Sequence, residues 1–197
     1  MKKLTMLSMA AFLLFSCAGQ KFPDNPKLVV MIAVDMFPAE ILQRIEPHLN
    51  GGLKWMLKHG IHYENAHQEH ANTLTGTGHF AIASGRYPGP SGVLGNSWYV
   101  RSLGRPVNCV EDSIAKAIGG EGNGRSYRQI ESNTVSDWTK SKHPDSKVYT
   151  VAAKDRAAIL LGGKNANLAI YYNYNLSLIH ISEPTRRYAI SYAVFCL

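Results

Sequence analysis

The chain has 197 residues, and its 21 lysines and arginines outnumber its 14 aspartates and glutamates, for a net charge of +7 at neutral pH. An apolar content of 45% with 18% charged residues excludes a disordered chain, and no apolar run reaches the roughly 18 residues of a membrane-spanning helix. The length suits one domain, and the basic balance by itself would permit a nucleic-acid partner.

The N-terminal residues 1–18 have the layout of a bacterial export signal, in which two lysines precede a short apolar stretch and small residues follow. Residues 14–17 also resemble a lipoprotein box. Cleavage before Cys17 would leave a lipid-anchored protein at the outer membrane. Cleavage after Ala18 or Gln20 would leave a soluble periplasmic protein, and both alternatives stay open.

The C-terminal residues 176–197 resemble the translation of a sequencing-library adapter, because both flanks of such an adapter read in one frame with a suitable gap. We therefore expect the natural sequence to end near Asn175 and the gene to continue beyond it. Residues 19–175 then carry 17 basic and 13 acidic side chains, a net charge of +4, and a single cysteine. That residue, Cys109, has no partner for an internal disulfide, and we expect it to be a small packed side chain.

Strands and helices are predicted to alternate along the chain, which indicates a doubly wound α/β fold. The first predicted strand is apolar on both faces, as is typical of a central parallel strand. The predicted strands are residues 27–35, 61–67, 147–153 and 168–172. The predicted helices are residues 38–49, a short helix from Leu53 that Gly60 ends, 76–84, 109–118 and 132–140 with Ser132 as its cap, while 86–108 are predicted to be connections.

Polar side chains are predicted to meet at one edge of this sheet. Asp35 ends the first strand, Lys154, Asp155 and Arg156 end a later one, and Thr75 begins a helix whose free N–H groups favour an anion. Ligands of open α/β sheets bind beyond the carboxyl ends of strands. A metal ligand, a hydroxyl nucleophile and cationic donors at that edge would suit phosphate-ester chemistry. Ordinary polar residues at strand ends give the same pattern, so the residues alone leave that alternative open.

Four motifs follow one another in the order VDM (34–36), NTLTGTGH (72–79), GNSWY (95–99) and AKDRAAIL (153–160). With these motifs the chain resembles the alkaline phosphatase superfamily. The similarity is greatest to the bacterial threonine-nucleophile phosphate monoesterases, which share a broad family with type I phosphodiesterases and nucleotide pyrophosphatases. It extends from about Lys27 to Asn175. It implies an alkaline-phosphatase-like, mostly parallel sheet that is incomplete here.

The resemblance also implies two zinc ions in the complete enzyme and roles for the matching residues. Asp35 would ligate one zinc, and Thr75 would be both a ligand and the nucleophile, giving a phosphothreonine that zinc-bound water hydrolyses. Asn96 would donate to one phosphoryl oxygen, and Lys154 and Arg156 would bind the others. This pair indicates monoesters, because their dianionic group needs more positive charge than a diester does.

Two departures from the family pattern bear on this interpretation. The family usually has prolines where this chain has Asn72 and Thr77, so we expect a less rigid loop around the nucleophile. The family's other zinc ligands lie further downstream and have no match here. Asp35 and Thr75 supply only part of one zinc site, so we expect the 197-residue chain alone to be inactive.

The histidines of the central region are expected to be structural. The spacing of His62, His67 and His70 is unusual for metal ligands, and we expect surface or hydrogen-bonded side chains there. His79 is expected to form a hydrogen bond behind the nucleophile rather than to act as a base.

Three functions remain open from the sequence. The first is an exported zinc phosphomonoesterase, which acts on a phosphate monoester and meets the membrane only through an anchor at Cys17. The second is a diesterase or pyrophosphatase, which would share Asp35 and Thr75 but usually lacks the Lys-Asp-Arg motif. The third is a non-enzymatic exported protein that binds an anion. The charge no longer favours nucleic acid, because Lys154 and Arg156 have a more specific use.

Overall fold

The computed structural model describes residues 26–116 and 123–172. The predicted export signal, Cys17 and residues 176–197 lie outside these ranges. The described helices are α1 (Ala39–Ile45), α2 (Gly52–His59), α3 (Thr75–Ser84), α4 (Pro88–Ser91), α5 (Val135–Lys142) and α6 (Asp155–Gly162), with 3-10 turns at Glu46–His48 and Arg101–Leu103. The described strands are β1 (Ser97–Val100), β2 (Arg105–Asn108), β3 (Glu111–Lys116), β4 (Asn123–Arg125), β5 (Tyr149–Ala152) and β6 (Leu168–Tyr171).

The strands form three two-stranded sheets in the described ranges. The pairs β1–β2 and β3–β4 are antiparallel, whereas β5 and β6 are parallel, with Tyr149 opposite Leu168. Helix α6 connects β5 to β6, which is the β-α-β unit of α/β proteins. The predicted α/β class is therefore confirmed. None of the helices in the described part is long and apolar enough to span a bilayer.

The core lies between α3, α6 and the loops and strands that follow α3. Phe80 on α3 and Leu160 on α6 are both fully buried. Burying side chains of this size stabilises the fold by about 1.5–3 kcal/mol each. The rest of this core cluster is Val93, Cys109, Val110, Ile130 and Ile159. Small residues at the contact, among them Ala83, Ala157 and Ala158, are almost completely buried, which allows the two helices to approach closely.

One face of the parallel pair remains apolar and exposed. Along β5 and β6 exposed residues alternate with half-buried ones, as expected for strands that pack on one side only. The half-buried Ala169 and Tyr171 pack against the core. The opposite face is formed by Tyr149, Val151, Leu168 and Ile170, of which Val151 is 76% exposed.

A buried carboxylate joins the start of α5 to the loop after α6. Thr134 caps α5, and the Asp137 carboxylate accepts hydrogen bonds from the Thr134 amide and hydroxyl, each at 2.9 Å. Asp137 also accepts from the amide and side chain of Asn165, again at 2.9 Å each. Because Asp137 is only 3% exposed, its charge is compensated by these donors rather than by water.

The predicted first strand, residues 27–35, is wrong as a regular strand. Only Ile32 forms an isolated bridge, and Leu28 and Val29 are 78% and 71% exposed. An apolar pattern on both faces shows that a segment suits burial, but a regular strand also needs neighbouring strands to pair with. No ladder flanks this segment within residues 26–116 and 123–172.

Other boundaries were predicted with mixed success. The helices around residues 38–49, 53–60 and 76–84 and the strands around 147–153 and 168–172 are confirmed. Residues 61–67 form no strand, and the predicted helix at 109–118 is wrong because strand β3 occupies its described part. The region 86–108 contains α4 and the β1–β2 hairpin rather than connections alone. Ser132 donates to the Pro90 carbonyl, and Thr134 is the α5 cap instead.

Replacing Asp137 with alanine should destabilise the fold by about 2–4 kcal/mol, because four donors around the buried carboxylate lose their acceptor. Urea unfolding followed by circular dichroism measures this change. The control is Thr139→Ala on the same helix, which removes only an exposed hydroxyl and should change the free energy of unfolding by less than about 0.5 kcal/mol. Equal losses in the two variants would contradict a structural role for Asp137.

Candidate active site

Helices α3 and α6 begin side by side, and this brings three of the predicted site residues into contact. The Thr75 hydroxyl donates to Asp35 Oδ2 at 3.2 Å. The Lys154 ammonium donates to the same carboxylate oxygen at 2.8 Å and lies 3.4 Å from Thr75 Oγ1. Residues separated by 40 and 119 positions in sequence thus meet at one point, as the sequence analysis predicted.

A sharp turn places Asp35 at this point. Met36, which follows it, has φ 59°, the left-handed conformation that non-glycine residues rarely adopt. The chain then continues through Pro38, the N-cap of α1. Asp35 retains 19% side-chain exposure, so it is half-enclosed rather than buried. Unusual backbone conformations of this kind often occur next to functional residues.

Asn96 approaches the first turn of α3 from the loop before β1. Its side-chain oxygen accepts a hydrogen bond from the Gly76 amide at 2.8 Å. This bond fixes the side-chain orientation and leaves the NH2 group as the donor end. The approach requires glycine at position 76, because a Cβ there would lie 2.8 Å from the Gly95 carbonyl oxygen and 3.2 Å from Asn96 Oδ1.

Hydrogen bonds from Thr77 close the loop in front of α3. The Thr77 hydroxyl is buried and lies 2.6 Å from the Asn72 carbonyl oxygen and 3.1 Å from the Leu74 carbonyl oxygen. Asn72 and Thr77 are the positions where the family usually has prolines. A side-chain hydrogen bond between the two positions therefore constrains the loop that the sequence analysis expected to be less rigid.

Arg156 lies in the first turn of α6, and its side chain is half-buried. Its Nε atom is buried and has no hydrogen-bond partner among the described residues. The nearest carboxylate to the guanidinium is Asp155, whose Oδ1 is 3.9 Å from Arg156 Nη1. A buried guanidinium donor without an acceptor fits an anion bound at this helix start.

The Asp155 carboxylate is held by a residue that the sequence analysis missed. Arg125 Nε donates to Asp155 Oδ2 at 2.7 Å, across 30 positions of sequence. Nothing in the local sequence around Arg125 distinguishes it from a surface arginine of a turn. Only the three-dimensional structure, in which this ion pair joins β4 to the start of α6, identifies the pair.

Two buried side chains, His79 and Cys109, lie near the first turn of α3. His79 Nδ1 donates to the Thr75 carbonyl at 2.7 Å, the structural contact expected from the sequence. Burial lowers the pKa of His79, although the bond to Thr75 opposes this shift. Cys109 is fully buried, and burial raises the pKa of its thiol to about 11, which keeps it protonated and unreactive at neutral pH.

The remaining histidines take separate positions. His62 and His67 are exposed, as expected, whereas His70 is half-buried and its Nε2 atom has no hydrogen-bond partner within the described ranges. No group of three or more histidine, cysteine, aspartate or glutamate side chains gathers in the described part of the chain. Asp35 and Thr75 contribute two oxygen donors that fit part of a metal's ligand set and do not complete one.

Residues 29–189 match the sequence model of the family described as type I phosphodiesterase / nucleotide pyrophosphatase. Alkaline phosphatase PhoV of Synechococcus elongatus is 36% identical over 187 residues, covering 87% of this chain and 34% of PhoV. Alkaline phosphatase PafA of Elizabethkingia meningoseptica is 36% identical over 154 residues, covering 76% of this chain and 28% of PafA.

The fold agrees with these sequence similarities. A crystal structure of wild-type alkaline phosphatase PafA aligns with a TM-score of 0.73 at 35% identity, over 78% of this chain and 30% of that chain. This chain spans about a third of the length of the curated relatives it matches.

Substituting Gly76 with alanine should displace the Gly95–Asn96 loop and cost about 1–3 kcal/mol in the free energy of unfolding, because the added Cβ would overlap a backbone oxygen. Chemical unfolding measures the loss. Gly89→Ala is the matched control, since no atom lies within 4 Å of a Cβ at that position. A Gly76→Ala protein as stable as Gly89→Ala would show that the close approach of Asn96 is not required.

Proposed function

Because the chain belongs to the type I phosphodiesterase / nucleotide pyrophosphatase family, within the alkaline phosphatase superfamily, we propose that it forms the nucleophile-bearing part of an exported phosphate monoesterase. The family is one of phosphoric ester hydrolases. The relatives are about three times as long as this chain, so the rest of the domain would come from residues beyond those that match here.

One observation supports the proposal above all others. The Thr75 hydroxyl stands at the N-terminus of α3, with the Asp35 carboxylate at 3.2 Å and the Lys154 ammonium at 3.4 Å. The first-turn N–H groups of a ten-residue helix favour negative charge at this position. A hydroxyl beside an acid and a cation is thereby placed where a phosphoryl group would meet several donors.

The proposed reaction has two displacements. Thr75 Oγ1 attacks phosphorus, so that a threonine O–P bond forms while the bond to the leaving oxygen breaks; the departing oxygen takes up the equivalent of the hydroxyl proton and leaves as the alcohol. Water then attacks the phosphothreonine, releases inorganic phosphate and restores the hydroxyl. Asn96, Lys154 and Arg156 would hold the phosphoryl oxygens during both steps, through an NH2 group, an ammonium and a guanidinium respectively.

A divalent metal, proposed to be zinc by family resemblance with two ions in the complete enzyme, would be held in part by Asp35 and Thr75. When bound it would supply the positive charge that lowers the pKa of the threonine hydroxyl. The fit is chemical: a carboxylate and a hydroxyl lie 3.2 Å apart and share one half-enclosed position. The remaining ligands would come from outside the described residues.

The cationic pair favours monoesters over diesters. A monoester phosphoryl group carries up to two negative charges on three free oxygens, and a diester carries one on two. Lys154 and Arg156 flank a single helix start, and the buried Arg156 Nε lacks an acceptor among the described residues. An ammonium and a guanidinium together match the larger charge better than the smaller one.

Replacing Thr75 with alanine in the complete, zinc-loaded protein should reduce hydrolysis of an aryl phosphate monoester by at least about a thousandfold, because no nucleophile remains. Arg156→Ala should lower kcat/KM for the monoester by about a hundredfold and that for an aryl diester by less, since the diester presents less phosphoryl charge to the guanidinium. Initial rates on the two esters measure both effects.

Exposed Arg101→Ala provides the control for loss of positive charge and should leave both rates unchanged. Faster turnover of the diester than the monoester by the unsubstituted protein would favour the diesterase or pyrophosphatase alternative. Retained hydrolysis by the Thr75→Ala variant would show that Thr75 is not the nucleophile. Binding of phosphate without hydrolysis of either ester would favour the non-enzymatic alternative.

The proposed organisation of the polypeptide rests on its sequence. Residues 1–18 would direct export, either to the periplasm or, through Cys17, to a lipid anchor on the outer membrane. Residues 19–175 would form the N-terminal part of the phosphatase domain, and 176–197 would derive from an adapter. Amplifying the gene from source DNA tests this organisation: a reading frame that departs from this sequence near Asn175 is expected, and an intact natural frame through Leu197 would contradict it.

A further inference from the structure

We propose that Arg125 is a positioning residue that keeps the Asp155 carboxylate away from Arg156, so that the Arg156 guanidinium stays available to the phosphoryl group. This inference rests on the proposed function of Arg156. It concerns a residue on a different element, the strand β4, which lies outside the motifs that carry the candidate site.

The two carboxylate oxygens of Asp155 are used differently. Oδ2 accepts from Arg125 Nε at 2.7 Å, whereas Oδ1 accepts from the Arg156 backbone amide at 2.7 Å. The Arg156 guanidinium is only loosely associated with Asp155, with 3.9 Å between Nη1 and Oδ1. Asp155 therefore has two short partners, and neither of them is the side chain of Arg156.

The Asp155 carboxylate also stabilises the N-terminus of α6. As the first residue of α6 it places negative charge near the helix N-terminus and satisfies a free first-turn amide. The consequence is a negative charge adjacent in sequence to both Lys154 and Arg156, the two residues proposed to bind the phosphoryl anion. Arg125 compensates that charge from the side, at a pair whose side chains are only 27% and 20% exposed and so incompletely screened by water.

Removal of Arg125 should therefore weaken the binding of anionic ligands and leave the rate of the chemical step nearly unchanged. With its strong partner gone, the Asp155 side chain can rotate toward Arg156 and form a closer pair. That pair would compete with the phosphoryl oxygens for the same N–H donors and would repel the anion. A dianionic monoester should be affected more than a monoanionic diester, because both effects scale with the ligand's charge.

The test compares Arg125→Met with the double variant Arg125→Met/Asp155→Asn in the complete, zinc-loaded protein, with inorganic phosphate as the probe. Arg125→Met should raise the inhibition constant of phosphate and the KM for an aryl monoester by about tenfold, with kcat changed less than about threefold and a smaller effect on an aryl diester. The asparagine side chain of the double variant keeps an oxygen for the Arg156 amide but carries no charge. The double variant should therefore return to within about twofold of the unsubstituted protein.

Arg105→Met is the matched control, because it breaks another 2.7 Å arginine–carboxylate pair, with Glu111 on the neighbouring strand. It should leave phosphate inhibition unchanged. Circular dichroism checks that each variant folds, and Arg125→Gln replaces Arg125→Met if the latter does not. Arg125→Gln should raise the inhibition constant of phosphate by the same factor as Arg125→Met, because glutamine is also uncharged.

Two results would overturn the inference while leaving the proposed function intact. One is an Arg125 variant that is folded, hydrolyses monoesters and binds phosphate as the unsubstituted protein does. The other is a double variant as impaired as the single one, since a general structural role of Arg125 is not relieved by removing the Asp155 charge. If the unsubstituted protein hydrolyses neither ester, the proposed function is wrong and the inference fails with it.

Discussion

The contact between α3 and α6 is the constraint on which the candidate site depends. The two helices pack through Phe80, Leu160 and small alanines, and this packing fixes the distance between their first turns. Thr75 begins one helix and Lys154 caps the other, so the Thr75 hydroxyl and the Lys154 ammonium lie within 3.4 Å of each other. The chemistry of the site is thus a property of core packing as much as of the polar residues themselves.

Much of this site could be predicted from the sequence because its residues lie in short local motifs at element ends. Asp35, Thr75 and Lys154 are predicted from the pattern of elements and Asn96 from the family resemblance, and the structure brings the four together. Arg125 could not be found in the same way, because its partner is 30 residues distant and its own neighbourhood carries no motif. Contacts across unrelated elements leave no local signal in one sequence.

The fold was predicted less evenly, and the errors have physical reasons. Helices and strands with a regular apolar period were located correctly. The apolar run at 27–35 was assigned to a central strand, but strand formation depends on neighbours that the pattern does not report. The stretch 109–118 is predicted to be a helix, whereas its described part pairs with β4 as an antiparallel strand. Pairing partners override weak local preference.

The exposed face of β5 and β6 has a consequence for the solution behaviour of this polypeptide. Tyr149, Val151, Leu168 and Ile170 present aromatic and branched side chains on a two-stranded ribbon. Burial of such a surface against another apolar surface lowers the free energy, so the surface favours association in water. Helix α6 packs on one side of the ribbon, while the other side stays exposed in the described part of the chain, so the two strands that support α6 also present an apolar surface to water.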